Sequence, residues 1–170
     1  AAAAAILARR GSEDLTAALG KPYTAGPLDP GVYQPTPPFN IVLLGGWGEL
    51  APFALRTGAQ LRSPAPYAVA SHRYAKDYAE VKELGSARST QRSAEQTETA
   101  RFWFDVIAKE WHAAARQGLA DARADEWQAA RTLALLSIAM ADGVIASADT
   151  KFHFNYWRPL TAIRAGDHEG

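Results

Sequence analysis

Apolar positions in the second half of the chain recur at helical spacing. Over residues 71–84 the apolar side chains fall at i, i+4 and i+7, which predicts a helix with one apolar stripe. Ser71 is a suitable N-cap for this helix, and Gly85 is a suitable C-terminal stop. The stripe comprises Tyr74, Tyr78 and Val81. Charged residues on the opposite face indicate a solvated surface.

Residues 93–117 follow the same pattern and predict a longer helix that Gly118 ends. Ser93 and Gln96 form a capping-box pattern at its start. The predicted stripe carries several aromatic residues, for which core packing is the simplest interpretation. Its members are Ala100, Trp103, Phe104, Ile107, Trp111 and Ala114. His112 has no second histidine at i+4, so a zinc site is not expected there.

The longest predicted helix starts at Asp125, where Gln128 repeats the capping pattern, and runs to about Tyr156. One side of this helix is expected to be buried through Leu133, Leu136, Met140 and Val144. Alanines on several faces allow neighbouring helices to approach closely. The pattern therefore predicts an all-α fold, a helical bundle with long Pro/Gly-rich loops.

The beginning of the chain predicts two short helices. Residues 1–10 form the first and Gly11 stops it, because glycine favours the conformation that ends a helix. Ser12 is the expected N-cap of the second, which runs to about Leu19.

Residues 20–70 are rich in proline and glycine and predict a largely irregular strap, with the helical core over residues 71–164. Tyr23, Val32 and Tyr33 indicate that this strap lies against the core. The glycines of residues 45–48 lack the spacing and the following lysine of a nucleotide-binding loop. They predict a tight turn that lets Trp47 and Phe53 pack. One domain is expected over residues 1–170, incomplete in itself.

Charge and composition exclude several function classes. The 170 residues carry a net charge of zero, so a nucleic-acid partner is not expected. The absence of cysteine excludes disulfides and thiolate catalysis. No unbroken apolar run approaches the ~20 residues of a membrane span, so no transmembrane segment is expected. Residues 1–7 resemble the end of a signal-peptide core, which favours an exported protein and leaves a cytoplasmic location open.

Candidate chemistry lies between Asp149 and Arg164. Lys151 and Arg158 stand seven residues apart, and on one helix they would share a face about 10.5 Å apart along the axis. Pro159 disfavours helical geometry at Arg158, so the helix is expected to end there. A compact ammonium and a planar guanidinium together suit a tetrahedral oxyanion. The alternative from spacing alone is two solvated cations above packed aromatic residues.

Neighbouring polar residues have weaker predicted roles. Asp142 and Asp149 are also seven apart, and on a helix they would be too distant to share a proton or an ion. We expect Asp149 to orient Lys151, and Asp142 to be structural or without an assigned role. His153 faces away from Lys151 on a continuous helix and shares its face on an extended segment. Trp157 is expected to lower the dielectric beside the cations.

The spacing K-x6-R-P over residues 151–159 resembles the first motif of the vanadium-dependent haloperoxidase and type-2 phosphatidic acid phosphatase superfamily. The continuation W-R-P-L-T-A-I-R over residues 157–164 resembles its haloperoxidase-like branch. Further similar pieces occur in the same order, so the resemblance covers residues 30–164. They are residues 30–33, 35–38, 46–48, 52–55, 80–85, 95–97 and 100–103.

The resemblance implies that Lys151 and Arg158 are catalytic and bind vanadate as cofactor, or phosphate. The implied reaction is peroxide-driven halide oxidation with vanadate, or hydrolysis of a phosphomonoester through a phosphohistidine. No metal ligand is expected in this chain itself. A small anionic substrate is implied, and a homo-oligomer is an open alternative.

The second and third family motifs, P-S-G-H and S-R-x5-H-x3-D, are absent, and His168 does not match the motif histidine. The chain is therefore expected to be the N-terminal part of a larger domain and to be inactive alone. A C-terminal segment or another chain would complete the site. The alternative is a catalytically silent structural or interaction subunit of the same fold. Either way, an exposed apolar seam is expected where the remainder docks.

Overall fold

The computed structural model describes residues 2–104 and 107–166, so His168 lies outside the described residues. Within these residues the chain is all-α, as predicted, with seven α-helices and no strand. Two short 3-10 turns, Trp47–Glu49 and Gly58–Leu61, interrupt the otherwise irregular strap. The helices are α1 Ala2–Arg10, α2 Leu15–Gly20, α3 His72–Gly85, α4 Ala94–Phe102, α5 Ile107–Asp121, α6 Glu126–Phe154 and α7 Pro159–Gly166.

Three predicted helix starts are confirmed by their side-chain hydrogen bonds. The Ser71 hydroxyl accepts a hydrogen bond from the backbone N–H of Tyr74 at 3.2 Å. A reciprocal capping box joins Ser93 and Gln96, with distances of 2.9 and 3.1 Å. Asp125 and Gln128 form the same arrangement at 2.8 and 3.0 Å. Local side-chain chemistry therefore sets these starts, as the sequence indicated.

The start of α2 differs from the prediction. Asp14, rather than Ser12, is the N-cap, and its carboxylate accepts a hydrogen bond from the N–H of Ala17 at 2.9 Å. A carboxylate at this position also interacts favourably with the positive end of the helix dipole, which a serine hydroxyl does not.

The single helix predicted over residues 93–117 is wrong. The first part, α4, ends at Phe102, where the N–H of Phe104 bonds back to the carbonyl of Arg101 at 3.2 Å in a tighter turn. The second part, α5, continues through Gly118 to Asp121. An interior glycine weakens a helix by only about 1 kcal/mol relative to alanine, which does not force the helix to end.

The chain divides into two compact units. The first unit contains Ala1–Pro66 and Asp142–Trp157, and the second contains Tyr67–Ala141 and Arg158–Gly170. The chain passes from the second unit to the first within α6, at Asp142. Organisation as one domain stays a prediction.

The C-terminal half of α6 forms the centre of the first unit. Ile145, Ala146 and Ala148 are buried, with exposures of 2%, 8% and 4%. A side chain at Gly48 would place its Cβ only 2.6 Å from the backbone nitrogen of Asp149, so glycine is required for the strap to lie this close. The backbone N–H of Gly46 bonds to the carbonyl of Ala18 in α2 at 2.9 Å. The glycine-rich segment is therefore a packing turn, as predicted, but Phe53, which is expected to pack beside it, is 42% exposed.

Asp142 anchors the strap to α6 and is 4% exposed. Its carboxylate accepts hydrogen bonds from the consecutive backbone N–H groups of Phe53, Ala54 and Leu55 at 2.6, 2.7 and 2.9 Å. Burial raises the pKa of Asp142, but these N–H groups and the charge of Arg10 outweigh it, so the pKa lies below its usual value. The structural role predicted for Asp142 is confirmed.

The end of α6 is tied to the strap through Tyr23 and Tyr33. The Tyr23 hydroxyl donates to the Asn155 side-chain oxygen at 2.6 Å, and the Tyr33 N–H donates to the Asn155 carbonyl at 2.9 Å. Val32 and Tyr156 form an isolated antiparallel bridge. The strap therefore lies against the core at the residues that the sequence indicated.

In the second unit α3 packs against α7. The Ser137 hydroxyl oxygen in α6 lies 3.4 Å from the Nε2 atom of His112 in α5, so this histidine has a polar neighbour. Ala162 is the one buried apolar residue among the described residues of this unit, with an exposure of 4%.

The predicted burial of the aromatic stripe is wrong. In the second unit Phe104 is 93% exposed, and Trp103 and Trp111 are about half exposed at 49% and 48%. The division between α4 and α5 takes these residues off one continuous helical face. In the first unit Val144 is 42% exposed, which corrects its predicted burial. These side chains agree with the expected open apolar surface.

One helix of the described residues, α6, is long and apolar enough to cross a membrane by length and composition. The expected absence of a transmembrane segment stays a prediction. Alanine, serine and threonine between the larger apolar residues keep the average apolar without forming an unbroken run. Long core helices of soluble proteins meet the same criterion, so this feature is weak evidence for a membrane location.

Candidate oxyanion site

One face of α6 forms the wall of a cavity in the first unit. Gly143, Ser147, Thr150 and Lys151 fall at i, i+4, i+7 and i+8, which places them along one side of the helix. The cavity has a volume of about 480 Å³. Its lining is completed by Leu61, Ser63 and Ala146.

Lys151 supplies the positive charge of this cavity. Its ammonium nitrogen lies 4.8 Å from the ring centre of Phe152 and 5.3 Å from that of Tyr33. These aromatic faces stabilise a cation without neutralising its charge. Among residues 2–104 and 107–166, no carboxylate forms an ion pair with Lys151. The ammonium can therefore interact with an anion that enters the cavity.

Ser63, Ser147 and Thr150 add hydroxyl groups to the same lining. None of the hydrogen bonds within the described part of the chain uses these three hydroxyls. Each hydroxyl can donate one hydrogen bond and accept others. The cavity therefore combines an ammonium with hydrogen-bonding groups whose capacity is not used internally.

An ion pair between Arg62 and Asp149 closes one side of the site. The guanidinium donates to both carboxylate oxygens of Asp149, at 2.8 and 2.9 Å. The hydrogen bonds and charge of Arg62 lower the pKa of Asp149 despite its burial, and Asp149 raises the pKa of Arg62. Arg62 lies between Leu61 and Ser63, so the pair holds this part of the cavity lining against α6.

The contacts of Asp149 differ from the prediction. Both of its oxygens bind Arg62, so its partner is this cation and not Lys151 as expected. On a helix, residues two apart point in nearly opposite directions, which is why Asp149 does not reach Lys151. Sequence reasoning missed Arg62 because 87 residues separate it from Asp149 and no local pattern links them.

Lys151 and Arg158 do not share a helical face, so that prediction is wrong. The helix α6 ends at Phe154, and Asn155 adopts the left-handed conformation with a φ of 48°. Pro159 begins α7 instead of only ending α6, since proline has the right φ for the first helical position. Lys151 belongs to the first unit and Arg158 to the second.

Arg158 is the residue before α7, and its backbone carbonyl accepts the N–H of Ala162 at 3.1 Å. Its side chain is exposed. The structure thus places Arg158 at the start of a helix, whereas the sequence predicted it at a helix end.

The remaining predicted residues lie at the end of α6 or just beyond it. His153 is exposed and contacts the Phe154 ring edge-on at 4.8 Å, and its charge contributes to the lowered pKa of Asp149. The continuous helix at this position confirms that His153 faces away from Lys151. Trp157 is half-buried, and its backbone N–H donates to the carbonyl of Gly31 at 3.0 Å.

Comparison with known proteins gives matches to a family model and to solved structures. Residues 131–169 match the family model described as the VCPO second helical-bundle domain. The structure is similar to one titled "Crystal structure of the first bacterial vanadium dependant iodoperoxidase", with a TM-score of 0.75 and 26% sequence identity. This match covers 91% of the present chain and 41% of the iodoperoxidase chain. No curated protein matches the sequence.

Both matches agree with the resemblance carried by residues 151–159. The family model includes this segment, and the structural similarity extends over nearly all of the chain. The chain therefore belongs to the vanadium haloperoxidase-like fold and corresponds to part of it.

Proposed function

We propose that this chain supplies the cationic part of an oxyanion site in a vanadium haloperoxidase-like enzyme. The observation that carries the proposal is the ammonium of Lys151, which lines a cavity and has no carboxylate partner among the described residues. Arg158 joins the site by its match to the family motif K-x6-R-P. The guest is vanadate or phosphate, which share a tetrahedral arrangement of oxygens.

The donors present suit such a guest. An ammonium and hydroxyl groups donate hydrogen bonds to anionic oxygens, and charge-assisted bonds of this kind are about twice as strong as neutral ones. Lys151 stabilises negative charge on the anion, and the rings of Phe152 and Tyr33 hold the ammonium in place. Vanadate, when bound, would supply the chemistry for oxidation of halide by peroxide. A phosphate ester bound in place of vanadate would be positioned for hydrolysis.

The haloperoxidase-like activity requires groups that these 170 residues lack, because the P-S-G-H and S-R-x5-H-x3-D motifs are absent. We propose that residues outside this sequence, on the same or another chain, supply the histidine and a further arginine. The match to only 41% of the iodoperoxidase chain supports this proposal.

A structural or interaction subunit is the second candidate function. Exposed aromatic side chains of the second unit favour it, since Phe104 and Trp127 are 93% and 86% exposed. Under this candidate the cavity of the first unit would bind no oxyanion.

Titration with orthovanadate and with inorganic phosphate separates the two candidates. We expect Lys151→Ala and Arg158→Ala each to weaken binding about tenfold or more, because each removes a charge-assisted hydrogen bond worth about 1.5–3 kcal/mol. Binding is measured by calorimetry, and the melting temperature of each variant is measured in parallel. Lys76→Ala, an exposed cation of α3, is the matched control and should bind like the unmodified protein.

Unchanged affinity in both variants would remove the two cations from the site. The absence of any oxyanion binding would favour the structural candidate. A fall in melting temperature that matches the loss of binding would assign the effect to folding.

A further inference from the structure

Tyr23 contacts both aromatic residues whose rings face the ammonium of Lys151. Its ring meets the Tyr33 ring edge-on, with 5.1 Å between the ring centres and 85° between the ring planes. The centre of its ring also lies 6.2 Å from that of Phe152, with 45° between the planes. The ammonium nitrogen lies over the Tyr33 and Phe152 rings at 5.3 and 4.8 Å. Tyr23 therefore touches both of the rings that hold this cation.

The three rings belong to two separate segments of the first unit. Tyr23 and Tyr33 lie in the strap, and Phe152 lies in the last turn of α6. Tyr33 is 2% exposed, and Tyr23 is half-buried between it and Phe152. Removing the Tyr23 ring would leave space that the surrounding structure fills only in part. The other two rings would then be free to turn away from the ammonium.

The hydroxyl of Tyr23 makes different contacts from its ring. It donates to the side-chain oxygen of Asn155 at 2.6 Å and lies 3.1 Å from the carbonyl oxygen of Tyr33. Asn155 follows the last residue of α6, so this bond acts on the end of the helix. A second bond, from the Tyr33 N–H to the Asn155 carbonyl at 2.9 Å, does not involve Tyr23. The effects of the ring and the hydroxyl can therefore be separated by substitution.

Positioning matters for a lysine because its side chain is long and flexible. A lysine loses much rotamer freedom when its ammonium is fixed on an anion. Rings that hold the ammonium before the anion arrives reduce this cost, because the side chain is already ordered. A residue that keeps both rings in place thus raises the affinity of Lys151 for an anion without touching the anion itself.

We propose that Tyr23 is a positioning residue, which fixes the ammonium of Lys151 through the rings of Tyr33 and Phe152. The inference rests on the proposed oxyanion site and adds a residue that prepares the site for its guest. The ring of Tyr23 carries this role, and its hydroxyl contributes to stability alone.

The position of Lys151 can be measured without any anion. Lysine labelled with carbon-13 at the ε-methylene gives one NMR signal for each lysine, and the signal missing from Lys151→Ala identifies Lys151. Aromatic rings shield a group above their faces, so we expect this signal upfield of that of the exposed Lys76. Tyr23→Ala should move the signal to the position of Lys76. Tyr23→Phe should leave it in place.

Titration with orthovanadate measures the consequence for binding. We expect Tyr23→Ala to weaken binding about threefold to tenfold, the effect of ordering one flexible side chain only on binding. Tyr23→Leu fills more of the vacated space and should show the same loss at a melting temperature closer to that of the unmodified protein. Tyr23→Phe should bind within about twofold of the unmodified protein, while its melting temperature falls because the bond to Asn155 is lost.

Tyr67→Ala is the matched control. Tyr67 is a tyrosine of the second unit, 46% exposed, and its ring also faces a cation, since the guanidinium carbon of Arg73 lies 5.5 Å from the ring centre. The control should change neither the Lys151 signal nor the Kd of orthovanadate.

The outcomes separate this inference from the proposed function. If the unmodified protein binds no oxyanion, the proposed function is wrong, and the NMR signal alone decides whether Tyr23 holds Lys151. If it binds orthovanadate and Tyr23→Ala and Tyr23→Leu bind equally well, only the present inference is overturned. A Lys151 signal that stays in place in both variants also overturns it. A loss of binding in Tyr23→Phe equal to that in Tyr23→Ala would contradict the role of the ring.

Discussion

Asp142 holds three residues of the strap through a single buried carboxylate. One carboxylate satisfies three consecutive backbone N–H groups of the strap, and the side chain is almost completely buried. A buried N–H group without a partner is costly, so the strap residues Phe53, Ala54 and Leu55 depend on this one acceptor. The role of a residue whose chemistry is easily mistaken for catalytic is thus architectural.

Replacing Asp142 by Asn tests this role. The amide keeps the size of the side chain but loses the charge and directs an NH₂ group at N–H donors. We expect the free energy of unfolding to fall by about 1.5–3 kcal/mol, the usual loss for a hydrogen bond to a charged group. Urea denaturation measures the change. Asp77→Asn, at an exposed position of α3, is the control and should stay within about 0.5 kcal/mol.

The low pKa values of Asp142 and Asp149 predict the pH dependence of stability. Both groups have a pKa in the folded state below the unfolded value of about 3.9, so the unfolded state binds protons first as the pH falls. Their contribution is therefore complete above about pH 5 and is lost as the pH falls through the folded pKa values.

Denaturation curves between pH 7 and pH 3 measure this loss. The double variant Asp142→Asn and Asp149→Asn should show a flatter profile below pH 5. An equally steep profile in the double variant would assign the acid sensitivity to other carboxylates.

At the scale of elements, α6 lies very close to the strap at one position and faces open space at another. Its C-terminal half lies close to the strap, and this closeness depends on small residues at the contact. Gly48 and Gly143 show the contrast, because one glycine is needed for close approach and the other faces open space.

The two glycines predict opposite effects of alanine. Gly143→Ala should raise the free energy of unfolding by about 0.5–1 kcal/mol, since alanine is the better helix former and its Cβ meets nothing. Gly48→Ala should lower it by about 1–3 kcal/mol, because the new Cβ would lie 2.6 Å from the nitrogen of Asp149. Urea denaturation of both variants checks the signs. Equal effects of the same sign would contradict the contacts described for Gly48.

Local signals predicted element starts better than element ends. The caps Ser71, Ser93 and Asp125 act through hydrogen bonds to residues three positions ahead, so the sequence is sufficient to identify them. Pro159 is ambiguous by itself, because proline both disfavours helix before it and favours helix after it. The reversal at Asn155 depends on bonds from Tyr23 and Tyr33, which are distant in sequence.

At the scale of the whole molecule, the chain accounts for part of a larger known fold. It covers 41% of the bacterial iodoperoxidase chain, and large apolar side chains remain exposed in both units, such as Phe39 and Trp127 at 78% and 86%. Under the proposed function we expect such surface to be covered by the residues that complete the fold, since soluble proteins rarely expose large contiguous apolar patches. The proposed oxyanion chemistry likewise requires groups from beyond these 170 residues.

The sequence by itself determined the all-α class, three helix starts, the contact of the strap with the core and the family resemblance. These features depend on periodicity and on residues a few positions apart, and both are visible along the chain. Tertiary structure alone decided that Asp149 pairs with Arg62, that Asp142 holds the strap, and that Ser63 lines the cavity of Lys151. These pairings join residues more than 80 positions apart, and their energies depend on burial and distance, which no local pattern specifies.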